Sequence, residues 1–137
     1  VNVQNKKVID VHGNRDVEGQ NVIVWNRHNG ANQRWKIIYV DSVNDKPGKG
    51  LNRDFGFYGN RPFYIRSKLP MQRFVEVVGG RNVVLKTFAK NRRAQQFIFD
   101  AKSKTIKSYQ WRDRSLDIQN SGKSSNLQVW KTNARWF

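Results

Sequence analysis

Three stretches of the chain repeat one pattern in the same order, and this restricts the fold more than any single residue does. The first runs Val8-Ile9-Asp10-Val11, then Asn21-Val22-Ile23-Val24-Trp25, then Asn32-Gln33-Arg34-Trp35. The second runs Phe74-Val75-Glu76-Val77, then Asn82-Val83-Val84-Leu85, then Ala94-Gln95-Gln96-Phe97. The third runs Ser115-Leu116-Asp117-Ile118, then Asn126-Leu127-Gln128-Val129-Trp130, then Asn133-Ala134-Arg135-Trp136. Each unit sets an acid among apolar residues, follows it with an apolar run and closes on an aromatic. Units of this length stack into a shared fold that none forms alone. Such a fold offers up to three copies of one surface site, and it does not by itself assemble a catalytic centre.

The periodicity is that of strands. Val8 to Val11, Val22 to Trp25 and Val83 to Phe88 are short, rich in β-branched residues and bounded by Gly or Asn. Gly13, Gly19, Gly30, Gly79, Gly80 and Gly122 fall in the gaps, where turns call for positive φ. No segment holds helical spacing over three turns. The expectation is an all-β chain of one domain, with five Trp, eight Phe and four Tyr to fill its core.

The spacing divides the 137 residues into repeat one (1–41), an insertion (42–62), repeat two (63–100) and repeat three (101–137). Repeats two and three open on Ile65 and Ile106, each ten positions before the next strand's Val75 or Leu116. The same offset from Ile9 falls just before residue 1. The first strand of repeat one is therefore expected to be missing, as is the end of the last strand after Trp136. The chain reads as a cut from a longer polypeptide. In the insertion, Phe55, Phe57 and Tyr58 suggest a loop docked on an apolar surface.

The sequence resembles the ricin-type (ricin B-like) β-trefoil lectin domain, a fold of three four-stranded repeats about a pseudo-threefold axis. Its mark is Gln-X-Trp near the end of each repeat. Gln33-Arg34-Trp35 matches, Gln95-Gln96-Phe97 replaces the Trp, and Ala134-Arg135-Trp136 keeps only the Trp. The resemblance implies that Trp35, Phe97 and Trp136 close a shared core. It also implies sugar sites built from an acid, an aromatic that stacks on the pyranose, and an Asn beside the Gln of the motif. A carboxylate accepts vicinal hydroxyls, an amide donates and accepts, and an aromatic face packs on C–H groups.

Carried over residue by residue, repeat one supplies Asp10, Trp25, Asn32 and Gln33, with Ile23 where the family often has Gln. Repeat three supplies Asp117, Gln128, Trp130 and Asn133, across a much shorter loop. Repeat two has Glu76, Lys86 and Ala94 at these places and is expected to be inactive. The implied partner is a carbohydrate or glycoconjugate.

Charge is the second strong feature. Lys and Arg outnumber Asp and Glu by 26 to 10, a formal net charge of +16. Such a field attracts polyanions. Lys90, Arg92 and Arg93 cluster in one loop, and Arg112 and Arg114 flank Trp111. Cations interleaved with an aromatic suit a phosphate backbone with a stacked base, although no nucleic-acid module signature is present. The alternative reading is thus a sugar-inactive basic docking module in a larger assembly, against an acidic protein surface or nucleic acid.

Catalysis has little support. The two histidines, His12 and His28, form no triad pattern, and His28 beside Asn29-Gly30 reads as a plain loop residue. With no cysteine there is neither a disulfide nor a thiolate site, and neither a metal nor a cofactor is expected. No apolar run approaches a transmembrane length. The lack of Cys, of a signal-peptide pattern and of an Asn-X-Ser/Thr sequon leans toward an intracellular compartment without fixing it.

Overall fold

The computed structural model describes residues 1–2, 5–41, 51–52, 57–120 and 124–132. Twelve strands are named among them: β1 (Val8–Val11), β2 (Val22–Trp25), β3 (Trp35–Tyr39), β4 (Leu51–Asn52), β5 (Phe57–Tyr58), β6 (Phe63–Ser67), β7 (Phe74–Val78), β8 (Asn82–Lys86), β9 (Phe97–Asp100), β10 (Thr105–Ser108), β11 (Arg114–Ile118) and β12 (Leu127–Lys131). All the pairings are antiparallel, and the expectation of an all-β chain holds.

Each apolar-acid-apolar segment forms a hairpin with the following apolar run. β1 pairs with β2, β7 with β8 and β11 with β12, and the acids lie opposite Ile23, Val84 and Gln128 respectively. Because side chains alternate across a strand, the residues flanking the acid point inward together. Val11, Val75, Val77, Leu116 and Ile118 are all buried in the core.

The second strands of the three hairpins then meet around one axis. Asn21 bridges Val84, Asn82 bridges Gln128, and Asn126 bridges Ile23. Three backbone hydrogen bonds repeat the relation. Val24 N–H donates to Ser125 O at 2.8 Å, Leu85 to Gln20 O at 2.9 Å and Val129 to Arg81 O at 2.8 Å. Positions 24, 85 and 129 are therefore equivalent, as are 125, 20 and 81. This is the pseudo-threefold expected of a trefoil.

β3 pairs with β6 along its whole length. Between these strands, β4 and β5 form a short hairpin. Phe57 stacks on Phe99 at 5.1 Å and lies 5.3 Å from Phe63, so the second half of the insertion docks on the core as the sequence suggests. Phe55 lies outside the described residues.

The structure corrects two expectations. Trp35 is only partly buried and packs at the rim of the core, donating from Nε1 to Ile9 O at 3.1 Å, whereas Phe97 is wholly buried. Strand β9 has neighbours on both sides, β10 and β6, while β3 is paired with β6 alone. An aromatic on a strand covered from one side keeps part of its surface in water. The other correction is Gly30, whose φ of −68° is ordinary for any residue. Glycine is needed there for space, as described below. By contrast Gly13, Gly19, Gly79 and Gly80 have positive φ, as their turns require. Gly122, Asn133, Ala134, Arg135 and Trp136 lie outside the described residues.

Candidate functional site

Repeat one sets Asp10, Trp25 and Asn32 in the lining of a cavity of about 550 Å³ and ties Gln33 to Asp10. Asp10 and Ile23 are cross-strand partners in the β1–β2 hairpin, and Trp25, two residues along, shares their face. Asn32 and Gln33 come from the 3-10 turn Ala31–Gln33, which follows β2 and folds back over β1. Asn32 Nδ2 donates to Asp10 Oδ1 at 3.1 Å and to Val11 O at 3.2 Å. Gln33 Nε2 donates to Asp10 Oδ2 at 2.8 Å and to Asn26 O at 2.8 Å, and its Oε1 accepts from His28 N–H at 2.8 Å.

The two amides thus hold one carboxylate oxygen each. An ionised carboxylate has about four lone-pair sites, so one site per oxygen is left for an incoming hydroxyl. The carboxylate lies at the floor, with Asp10 3% exposed, and Trp25 on the wall is 49% exposed.

Four further residues shape this cavity. His28 places Nε2 3.6 Å from Asp10 Oδ2, while its Nδ1 accepts from Gly30 N–H at 3.1 Å. His28 therefore lines the cavity beside the Asp10 carboxylate. Gly30 is tightly enclosed: a Cβ there would stand 2.6 Å from His28 Cε1 and 2.8 Å from Asn32 Oδ1. Leu69, from the turn between β6 and β7, supplies a wall from another repeat. That turn is fixed by Met71 N–H donating to Asp16 Oδ2 at 2.7 Å and by the Arg73–Asp16 ion pair at 3.0 Å. Nothing in the local sequence of repeat one points to Leu69. His12 lines the same cavity from the turn after β1.

Repeat two builds the same bracket and then closes it. Gln95 Nε2 donates to Glu76 Oε1 at 3.0 Å and to Thr87 O at 2.9 Å, and its Oε1 accepts from Ala89 N–H at 3.0 Å. These bonds match those of Gln33 one for one. The carboxylate, however, also takes Arg92 Nε at 3.0 Å, and Arg92 stands where repeat one has Gly30. Lys86 replaces the aromatic, and Ala94 replaces the Asn.

Repeat three brings three of its four expected residues together, Asn133 lying outside the described residues. Gln128 Nε2 donates to Asp117 Oδ2 at 2.8 Å. Arg81, which sequence reasoning missed, donates from Nε to Gln128 Oε1 at 3.0 Å and sets its guanidinium 4.9 Å from the Trp130 ring centre.

The five basic residues singled out in the sequence separate into two kinds. The exposed Arg92 is paired with Glu76, and the half-buried Arg114 donates from Nη1 to Gly80 O, so both have partners within the chain. Trp111, flanked by Arg112 and Arg114, is partly buried and packs against the core, with Gly80 close by. The exposed Arg93 and Arg112 instead gather at Tyr109, their guanidinium carbons 5.7 and 4.2 Å from its ring centre. Lys90 is exposed in the preceding loop. None of Lys90, Arg93 and Arg112 meets a carboxylate among the described residues.

Among the described residues no group of three or more His, Asp and Glu side chains gathers in a way that could hold a metal ion. No helix there is long and apolar enough to cross a membrane.

Comparison with known proteins places these observations. The family model of the ricin-type β-trefoil lectin domain-like proteins matches residues 1–49. No curated protein matches the sequence. Among solved structures, the β-trefoil lectin of the Vibrio vulnificus hemolysin/cytolysin, with N-acetyl-D-lactosamine bound, is similar at 21% identity and a TM-score of 0.66, over 99% of this chain and 88% of that one. The C-half of the earthworm R-type lectin, in complex with GalNAc, aligns at 23% identity and a TM-score of 0.60, over 93% and 82% of the two chains. ThreeFoil, a designed threefold-symmetric protein, aligns at 18% identity and a TM-score of 0.65, over 96% and 83%. The chain thus carries a ricin-type β-trefoil lectin-like sequence over residues 1–49, and its fold is that of the β-trefoil lectins.

Proposed function

We propose that the chain is a non-enzymatic carbohydrate-binding module, one trefoil domain with the repeat boundaries given above, whose working sugar site is the repeat-one cavity. The observation that carries this reading is the buried Asp10 carboxylate, held by one amide on each oxygen and facing a cavity with a half-exposed indole on its wall. A pyranose fits that arrangement by chemistry: two vicinal hydroxyls donate to Asp10, and the apolar face of the ring packs on Trp25. Ile23 and Leu69 add apolar wall, which favours a sugar with a methyl or acetyl substituent. Galactose, GalNAc and N-acetyllactosamine are the first probes, the last two being found in the structural relatives. Asp10→Ala should abolish binding while the chain stays folded. A hydrogen bond to a charged group contributes about 1.5–3 kcal/mol, and two hydroxyls would lose their acceptor. Wild-type protein that binds none of these sugars at millimolar concentration would end this reading.

A second reading, a sugar-inactive basic docking module, rests on the exposed Arg93 and Arg112, which gather at Tyr109, with Lys90 exposed in the preceding loop. Reversing these three charges should then weaken heparin, RNA and an acidic peptide alike, because diffuse charge does not distinguish polyanions. Retention of one of them at ~150 mM salt, where exposed charges are screened beyond about 8 Å, would point instead to a shaped site for that ligand.

A further inference from the structure

The repeat-three face differs from the repeat-one site in the cation at its aromatic. Trp130 carries the guanidinium of Arg81, 4.9 Å from its ring centre, whereas Trp25 has the single ammonium of Lys7, 5.9 Å away. The equivalent positions at the other two axial contacts are Gln20 and Ser125, neither of which is charged. Arg81 is not loosely placed. Its Nε is fixed on Gln128 Oε1, and Gln128 is 5% exposed and in turn held by Asp117. The Nη nitrogens make no hydrogen bond, and the side chain meets no carboxylate, among the described residues.

We propose that this face binds anionic saccharides, sugars bearing a carboxylate or a sulfate, with the anionic group on Arg81. The guanidinium fork matches two oxygens of either group, and such charge-assisted pairs are about twice as strong as neutral hydrogen bonds. Arg81 is already ordered by Gln128 and the indole, so less side-chain entropy is lost on binding. The Gln128 amide stands between cation and carboxylate, accepting from Arg81 and donating to Asp117. Asp117 keeps lone pairs for sugar hydroxyls, as Asp10 does. The net charge of +16 raises the local concentration of any anion. The proposal does not require repeat one to bind sugar.

Calorimetric titration of the whole chain at ~150 mM salt tests it, with methyl galactoside, methyl galacturonide and a galactose sulfate as probes. At least one anionic sugar should bind about tenfold more tightly than the neutral one, the margin of a single charge-assisted bond. A preference for the galacturonide identifies the carboxylate as the group read, and a preference for the galactose sulfate identifies the sulfate. Arg81→Gln should remove that margin, while Arg93→Gln, which takes the same charge from elsewhere, should preserve it. Equal loss in the two arginine variants would reduce the effect to diffuse charge, and that result overturns the proposal. So does neutral-galactoside binding gained on Arg81→Ala, which would make Arg81 a plug. If Arg81→Gln fails to fold, Arg81→Lys serves: it keeps the charge without the fork and should still lose most of the margin.

Discussion

Repeats one and two build the same bracket of hydrogen bonds around an acid and end with opposite surfaces. In both, a Gln side chain ties the acid to a backbone carbonyl and accepts a backbone N–H. In repeat one the position before the 3-10 turn is Gly30, and the carboxylate of Asp10 opens on a cavity. In repeat two that position is Arg92, whose guanidinium takes the carboxylate of Glu76. The bracket therefore belongs to the fold, and the side chains around it decide whether its carboxylate opens on a cavity. A buried acid that recurs in every repeat is not by itself evidence of a ligand.

The largest difference expected between the two repeats is in stability. Phe97→Ala should cost about 3–5 kcal/mol, the range for deleting a large buried aromatic. Trp35→Ala should cost clearly less, because Trp35 is only partly buried on a strand paired from one side. Urea titration of the two variants measures this directly, and equal costs would mean that β3 is as well covered as β9.

Next comes Arg92→Gly, which gives repeat two the glycine of repeat one. It should destabilise the chain by about 1.5–3 kcal/mol, since a nearly buried carboxylate loses a charged hydrogen bond. It should create no sugar binding, because Lys86 and Ala94 still lack the stacking face and the amide. A sugar signal gained in this variant would show that Arg92 alone had silenced the repeat.

The converse change, Gly30→Ala, is expected to act on binding more than on folding. The added Cβ must push aside the exposed His28 ring and the buried Asn32 that orients Asp10. Sugar affinity should fall about tenfold, the loss of one hydrogen bond's worth of alignment, with the melting temperature little changed. Unchanged affinity would mean that His28 and Asn32 do not position the acid.

The smallest effect concerns the contact between the two repeats. Burial tends to raise the pKa of Glu18, but the Thr87 amide and hydroxyl and Arg73 outweigh it and leave the carboxyl below its ordinary value. Asp100 is likewise lowered, with burial opposing and Lys107, Ser103 and Lys102 prevailing. A carboxyl with a lower pKa folded than unfolded binds fewer protons in the native state, so its contribution is complete above the unfolded value. It is lost as pH falls through the folded value, a window below the usual carboxylate pKa of about 4. The side chain of Glu18 is half exposed, so solvent screens its interactions and Glu18→Gln should flatten the acid limb of a pH–stability curve only slightly. An unaltered acid limb would leave Glu18 no part in holding repeat one to repeat two.

The three hairpins and much of the shared core were legible in the sequence because they depend on spacing along one chain segment, and the resemblance supplied the four residues proposed for repeat one. Alternation along a strand fixes which residues face inward, so Asp10, Trp25, Asn32 and Gln33 come together once their hairpin and turn form. Repeat two was expected to be inactive from Glu76, Lys86 and Ala94, but the Arg92–Glu76 pair, the wall given by Leu69 and the guanidinium on Trp130 were not legible. Each of these is a contact made by a side chain from another turn or another repeat: Arg92 reaching back across a turn, Leu69 held by a loop of repeat one, and Arg81 brought beside Trp130 by the backbone bond to Val129. Local periodicity carries no record of such contacts. They exist only because packing around the axis brings distant segments within a side chain's length, and so the tertiary structure, not the repeat, decided what surrounds each copy of the bracket.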